Sequence, residues 1–380
     1  MSEINSLLDI TKNGLCIGCG ICESIVGRET IKISMTKKGR LEPQEISPLS
    51  DENFDKIKKV CPGVIVEGLP KNEINQDSKF DLIWGYYHSL FYSWSTDTKI
   101  RFQSSTGGLL NGLSLYLLES KIVDFILHTG TDPLKPMRSI SKYSHDKNEL
   151  LSSGSCSRYG PTSPLDKFHE ALNLNQPFAF VGKPCDISAI RQLSKIDEKV
   201  NKFCKYLLTL VCGGFGEFTK SQEFIESFNV KEKELEIFRY RGNGNPGKMY
   251  IKTNSGKEYD KDYNSFWGEE STWRVPFRCK ICPDAIGEGA DIAALDTWPG
   301  GSPEGEDEGF NAAIARTQKG LELLNSAVDS GYIKKGDNLS IDAINDFQPH
   351  QVKKKQAVFA RHCGCLLYTS DAADEGLGVD

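Results

Sequence analysis

Three cysteines at two-residue intervals, Cys16-Ile-Gly-Cys19-Gly-Ile-Cys22, constrain this chain more than any other feature. Thiolates so spaced wrap one metal centre from a single loop. Gly18 and Gly20 let that loop turn tightly and aim its N–H groups at the sulfurs. The fourth ligand of such a site often stands just before a proline, and Cys61-Pro62 supplies one downstream. A zinc site needs four ligands too, but repeated x2 spacing with a Cys-Pro favours a [4Fe–4S] cluster. Buried structural thiols have no reason to recur three apart in a Gly-rich loop.

Twelve cysteines demand a compartment. The N-terminus, MSEINSLLDITKNG, has no basic start followed by an apolar core, so it does not read as a signal peptide. The longest apolar run, 109–118, is interrupted by Asn111, Gly112 and Ser114 and predicts no membrane span. The chain is therefore placed in a reducing cytoplasm, where cysteines serve as metal ligands or catalytic groups rather than disulfides. A net charge of -6 argues against a nucleic-acid partner. The basic run Lys353, Lys354 and Lys355 reads as a solvated face.

The fold class expected is α/β. Residues 1–75 form an iron–sulfur unit, and a polar linker follows at 72–78. Beyond it the pattern alternates helix and strand. Leu109, Leu110, Leu113, Tyr116 and Leu117 repeat at helical spacing, while 122–127, 178–181 and 207–211 read as buried strands. That alternation predicts a mainly parallel sheet covered on both faces. A smaller β-containing insertion is expected around 238–275, with a hairpin turning at Asn254-Ser255-Gly256. Segment 300–309 reads as a surface loop and 320–328 as an amphipathic helix. The core divides at 76–175 and 176–365. Residues 366–380 continue no pattern and are set aside as a disordered tail or sequence foreign to the native protein.

A second cysteine pair, Cys279-Lys-Ile-Cys282-Pro283, is compatible with zinc, a redox dithiol or half of a cluster site. Cys185 stands where a strand turns into a helix, a position where the helix dipole favours a thiolate. Cys212 ends another strand. Ends of parallel strands gather on one edge of a sheet, so Cys185, Cys212, Cys279 and Cys282 are expected to meet there; packed thiols under loops are the alternative for the first two. Cys204 reads as a core or surface thiol. Cys156 lies in a polar loop, and Cys363 and Cys365 border the tail.

Two further segments suit an anionic cofactor. Ser104-Ser105-Thr106-Gly107-Gly108 precedes a helix and offers N–H groups, hydroxyls and a dipole, or is simply a capped helix start. Gly154-Ser155-Cys156-Ser157-Arg158-Tyr159 offers a cation, hydroxyls and an aromatic ring, or is a surface turn. None of the six histidines pairs at metal or catalytic spacing.

Taken together, the cysteine loop, Ser105-Thr-Gly-Gly108, Phe180-Val-Gly-Lys-Pro-Cys-Asp186, Arg278-Cys-Lys-Ile-Cys-Pro-Asp-Ala-Ile-Gly287 and Ala290-Asp-Ile-Ala-Ala-Leu-Asp-Thr-Trp298 carry a resemblance. Over roughly residues 10–362 the sequence resembles the beta-subunit family of coenzyme F420 hydrogenases and dehydrogenases, which includes 7-hydroxymethyl chlorophyll a reductase. The resemblance implies a ferredoxin-like N-terminal unit, FAD in a flavin-binding core, and [4Fe–4S] clusters, taken here as two. It puts Ser105, Thr106, Gly107 and Gly108 on the flavin-phosphate turn and Ser155, Ser157, Arg158 and Tyr159 on a second flavin loop. Cys16, Cys19, Cys22 and Cys61 fall on the outer cluster, and Cys185, Cys212, Cys279 and Cys282 on an inner one. Lys183 stands where many members carry a small hydroxyl residue, and a lysine there holds a phosphate or carboxylate or reaches solvent. Asp291 and Asp296 match acidic positions whose role, a structural one included, stays open. The implied activity is an oxidoreductase passing electrons between a one-electron carrier, such as ferredoxin or another redox subunit, and a small two-electron acceptor such as coenzyme F420. A reductase of a chlorophyll-type tetrapyrrole and an electron-transfer subunit of a larger complex are the alternatives.

Overall fold

The computed structural model describes residues 4–154, 157–269, 272 and 274–375. Helices α1 (Leu7–Lys12) and α2 (Ile21–Val26) bracket the cysteine loop, and the antiparallel pair β1 (Ile31–Met35) and β2 (Leu41–Glu45) leads into α3 (Asp51–Val60). The Ser50 hydroxyl caps α3 by accepting from Asn53 N, and Phe54, Ile57 and Val60 fall on its buried side at helical spacing. A small hairpin of β3 (Lys79–Asp81) and β4 (Gly85–Tyr87) connects to β5 (Ser89–Ser95). Next come α4 (Thr98–Gln103), α5 (Leu109–Glu119), the ribbon β6 (Phe125–Asp132) and β7 (Lys135–Ser144), α6 (Lys147–Gly154) and α7 (Phe168–Asn173).

The crossover β8 (Phe178–Gly182), α8 (Pro184–Leu193), α9 (Glu198–Phe203) and β9 (Cys204–Leu210) follows. Helix α10 (Phe218–Glu226) precedes an antiparallel sheet of β10 (Leu235–Arg239), β11 (Met249–Thr253) and β12 (Glu258–Lys261). Then come α11 (Asn264–Trp267), α12 (Phe277–Lys280), β13 (Ile292–Asp296), β14 (Asn311–Ala315), α13 (Gln318–Asp329), β15 (Ile333–Asn338), α14 (Ile341–Phe347) and α15 (Pro349–Glu375). Among the described residues no helix is long and apolar enough to cross a membrane.

The main sheet has eight strands in the order β15-β5-β14-β13-β9-β8-β6-β7. Its centre, β13-β9-β8-β6, is parallel, and both flanks pair antiparallel. Alternate residues of the central strands face opposite ways. Phe125, Leu127, Phe178, Phe180 and Leu207 lie in one core with α7 and α8, and Ile126, Ala179, Leu208, Ile292 and Ala294 lie in the other with α5 and α13. Ile17, Cys19, Ile21 and Val60 of the N-terminal unit join the first core, so that unit is docked on the sheet by shared apolar burial. The insertion sheet has its own core, where Phe238, Tyr240, Met249 and Ile251 meet Phe266 and Trp267.

Three details depart from the sequence reading, and the first is that α15 runs on to Glu375, through residues 366–375 set aside as a disordered tail or foreign sequence. The strand expected at 122–127 begins only at Phe125, because the chain leaves α5 through a turn with Lys121 at φ 55°. The expected hairpin gains a third strand, β10, which the sequence pattern did not single out.

Asp291 is fully buried at the start of β13. It accepts from Leu207 N at 2.8 Å, from the Thr317 hydroxyl at 3.0 Å, and from Arg191 and Lys319. It therefore ties β9, β13, α8 and α13 together. Burial works against its charge, but Lys319 and Arg191 outweigh that and hold the carboxyl below its ordinary value. Asp291→Ala strands two cations beside a buried gap and is expected to cost about 3–5 kcal/mol of stability, measured by urea unfolding.

His128 on β6 is buried neutral, its Nε2 2.8 Å from the Ser144 hydroxyl, and burial holds its pKa down to about 4 against 6.5 when free. Below pH 6.5 the unfolded chain binds a proton that the folded protein refuses. The contribution of this residue is thus complete above pH 6.5 and is lost as pH falls toward 4. Wild type is expected to lose about 3 kcal/mol more stability than His128→Gln between those pH values.

Candidate functional site

The cysteine loop takes its shape from two left-handed glycines. Gly18 has φ 68°, and a Cβ there would lie 2.4 Å from the Leu41 carbonyl oxygen; Gly20 has φ 88° and starts α2. Cys61 caps the C-terminus of α3, directly after Val60, its N–H given to Ile57 O. Cys16, Cys19, Cys22 and Cys61 consequently line one cavity, whose other walls are apolar side chains such as Leu7, Ile10, Ile33 and Ile57. Burial pushes the Cys16 thiol up to about 12, with Cys61 adding to the effect, and it raises Cys19, Cys22 and Cys61 as well.

The second expected grouping also comes together. Cys185 is in the first turn of α8, Cys212 follows β9, Cys279 is on α12, and Cys282 follows it; all four line one cavity. The helix dipole at Cys185 does not govern its ionisation, because burial first and Asp186 second raise the thiol well above its usual range. Burial raises Cys279 to about 12 and raises Cys282. The Cys282 thiol donates to Asp284 O at 3.1 Å. Among the described residues no three His, Cys, Asp or Glu side chains converge as ligands of a single ion. The two cavities are neighbours: Ile17 lines both, and Pro62, next to Cys61 of the first, lines the second.

Charged side chains distinguish the second cavity, which is lined by Lys183, Arg278, Asp284 and Lys354. Lys183 is largely withdrawn from solvent, its side chain 15% exposed. Its ammonium is 2.9 Å from Asp186 and 3.1 Å from the Thr162 hydroxyl, and although burial opposes its charge, Asp186 outweighs burial and keeps it protonated. Lys354 corrects the reading of the basic run as a solvated face. Consecutive residues of a helix point about 100° apart, so three lysines in a row cannot share one side of α15. Lys353 is exposed, Lys354 lines the cavity, and Lys355 pairs with Glu288.

The two segments expected to hold an anionic cofactor meet as well. Ser157 N donates to the Ser105 hydroxyl at 2.5 Å. Thr106 donates its hydroxyl to Phe310 O, and Leu109 N at the start of α5 donates to the Asn311 side chain. No hydrogen bond within the protein satisfies the N–H groups of Thr106, Gly107 or Gly108 among the described residues, although both glycines are buried. Buried N–H groups of that kind require a partner, and these lie in a turn with Gly108 at φ 73° directly ahead of α5.

Arg158 is not turned toward this cradle. It donates to Ser139 Oγ and to the carbonyls of Phe238, Pro136 and Arg138, which makes it a pin between β7 and β10. Ser155 lies outside the described residues. The cation beside the turn is Arg241, which sequence reasoning missed. Its buried guanidinium donates to Ser105 O, the Tyr159 hydroxyl, Pro246 O and Asp296, and stacks on Trp298 with its carbon 4.7 Å from the ring centre. Asp296 thus serves this network. The one available signal was the glycine cluster directly after Arg241, at 242–247.

Two family models match the chain, and both describe the beta subunit of coenzyme F420 hydrogenase/dehydrogenase. The model of its N-terminal part covers residues 90–169, and the model of its C-terminal part covers 176–338. The coenzyme F420-dependent sulfite reductase of Methanocaldococcus jannaschii is 26% identical over 369 residues, which is 92% of this chain and 51% of that protein. The F420-dependent formate dehydrogenase subunit beta of the same organism is 26% identical over 63% of this chain and 59% of its own length. This chain therefore spans between half and two thirds of these relatives. A chain of the F420-reducing [NiFe] hydrogenase complex from Methanosarcina barkeri superimposes with a TM-score of 0.59 at 18% identity, over 80% of this chain and 98% of that one. It shares the fold.

The loop geometry makes a direct prediction. Gly18→Ala is expected to lower the unfolding free energy by more than about 1 kcal/mol. Gly68→Ala, with open space around the added methyl, is the control and stays within about 0.5 kcal/mol of wild type in urea unfolding.

Proposed function

Because this chain belongs to the coenzyme F420 hydrogenase/dehydrogenase beta-subunit family, we propose that it is a flavin-dependent iron–sulfur oxidoreductase working between a one-electron carrier and a two-electron partner such as coenzyme F420. The observation that carries this reading is the pair of four-cysteine cavities that share Ile17 as a wall.

The donor sets suit iron–sulfur clusters. Thiols such as Cys16 and Cys279, which burial pushes up to about 12, are costly to ionise unless a cation replaces the protons. A single zinc ion draws its sulfurs to about 3.8 Å from each other, given Zn–S near 2.3 Å. Among the described residues no three such side chains converge as ligands of one ion. Cys16, Cys19, Cys22 and Cys61 hold the outer cluster, and Cys185, Cys212, Cys279 and Cys282 the inner one. The unsatisfied N–H groups of Thr106, Gly107 and Gly108 receive a flavin phosphate, with Ser105, Ser157 and Tyr159 beside it and Arg241 fixing the turn from behind.

When bound, clusters carry single electrons and a flavin exchanges electrons in pairs. The protein's own contribution is environment. Ile17 and the apolar walls keep water from the outer cluster, and Lys183, held charged by Asp186, keeps a fixed positive charge at the C-terminal edge of β8. That edge is where an open α/β sheet binds ligands.

A second reading, an electron-transfer subunit whose substrate chemistry needs a partner chain, is favoured by one fact. Relatives are named as beta subunits, and the superimposed structure is a complex. Anaerobically purified wild type is expected to contain about eight iron and eight acid-labile sulfide per chain, with FAD, and Cys279→Ser about four of each. Zinc in place of iron, or no flavin, overturns the proposal. Reduction of coenzyme F420 by the isolated chain with a chemical one-electron donor separates the two readings.

A further inference from the structure

The two cavities differ in the charge around them. Among the described residues no charged side chain lines the first, whereas Lys183, Arg278, Lys354 and a single carboxylate, Asp284, line the second. The Lys183 charge is matched by Asp186. Asp284 is turned to the backbone, accepting from the N–H groups of Ile286, Gly287 and Glu288. Arg278 and Lys354 remain as a surplus. Arg278 is only 7% exposed; its Nε and Nη2 donate to Pro62 O, and its Nη1 is buried with no partner among the described residues. A buried guanidinium N–H of this kind needs an acceptor.

We propose that Arg278 and Lys354 act as positioning residues that build a potential step into the chain, holding an iron–sulfur centre in the second cavity at a higher reduction potential than one in the first. This rests on the iron–sulfur reading above. Reduction adds one negative charge to a centre. A nearby cation and a free N–H donor stabilise that added charge, while an apolar wall penalises it. An electron shared by the two centres therefore resides on the second, with the first oxidised, the second reduced and no bond or proton moved. The supply is an external one-electron carrier. Arg278 is suited to the boundary because it bonds the residue after Cys61 and directly precedes Cys279.

The test is a redox titration of the full chain, followed by electron paramagnetic resonance under anaerobic conditions, on wild type, Arg278→Gln, Arg278→Lys and Lys354→Met. At the wild-type midpoint of the higher-potential centre, Arg278→Gln and Lys354→Met are each expected to lower its reduced-to-oxidised ratio about tenfold, which is about 59 mV for a one-electron couple. Lys354→Met leaves the lower-potential centre unchanged, and Arg278→Lys recovers most of the loss. If Arg278→Gln fails to retain iron, Lys354→Met and Arg278→Lys decide the matter. Wild-type centres titrating together, or potentials unmoved in iron-replete variants, overturn the proposal. Iron and sulfide analysis of wild type comes first: fewer than two centres there overturns the underlying reading as well, and that failure is visible before any titration.

Discussion

Eight cysteine side chains packed in two sets of four impose the constraint on which the rest of this structure depends. Neutral thiols are tolerable in a protein interior, but thiolates are not unless something positive lies among them. Here burial raises thiols of both sets, Cys19 and Cys185 among them, so free thiolates are disfavoured there. The α/β sheet serves this constraint. It brings Cys185 and Cys212 to neighbouring strand ends, and the first core fixes Ile17 and Cys19 against the same face. Ile17 lines both cavities, and the Cys61-Pro62 step puts one residue in each.

Electrostatics follows from that placement. The docked N-terminal unit surrounds its cavity with aliphatic side chains, while α8, α12 and α15 bring lysine and arginine to the second. The turn at 105–108 draws on a third region. Its turn is held from behind by Arg241, which links the insertion sheet to Asp296 at the end of β13. Three chain regions thus converge on one edge of the sheet, each supplying a different kind of environment: apolar, cationic, and rich in free N–H groups.

Much of this was legible in the sequence where the signal was local. Spacing alone marked Cys16, Cys19 and Cys22, because neighbouring residues of one loop must face one point. Strand ends marked Cys185 and Cys212, because parallel topology puts such ends on one edge. What was not legible depended on distant pairing. Arg241 meets Ser105 from 136 positions away, and nothing local to either announces it. Arg158 looked like a free cation because its four acceptors come from other strands. Lys354 looked solvated because a run of lysines shows its charge in sequence but not its direction around a helix. Asp291 could be located, yet its role emerged only with four partners drawn from separate elements.

The central claim is that both cavities hold iron in all-sulfur surroundings. X-ray absorption at the iron and zinc edges of anaerobically purified protein tests it most directly. The account predicts an iron edge with a sulfur-only first shell and an iron–iron shell behind it, and no zinc beyond trace. A zinc edge without iron, or iron bound by nitrogen and oxygen with no iron neighbour, would contradict it.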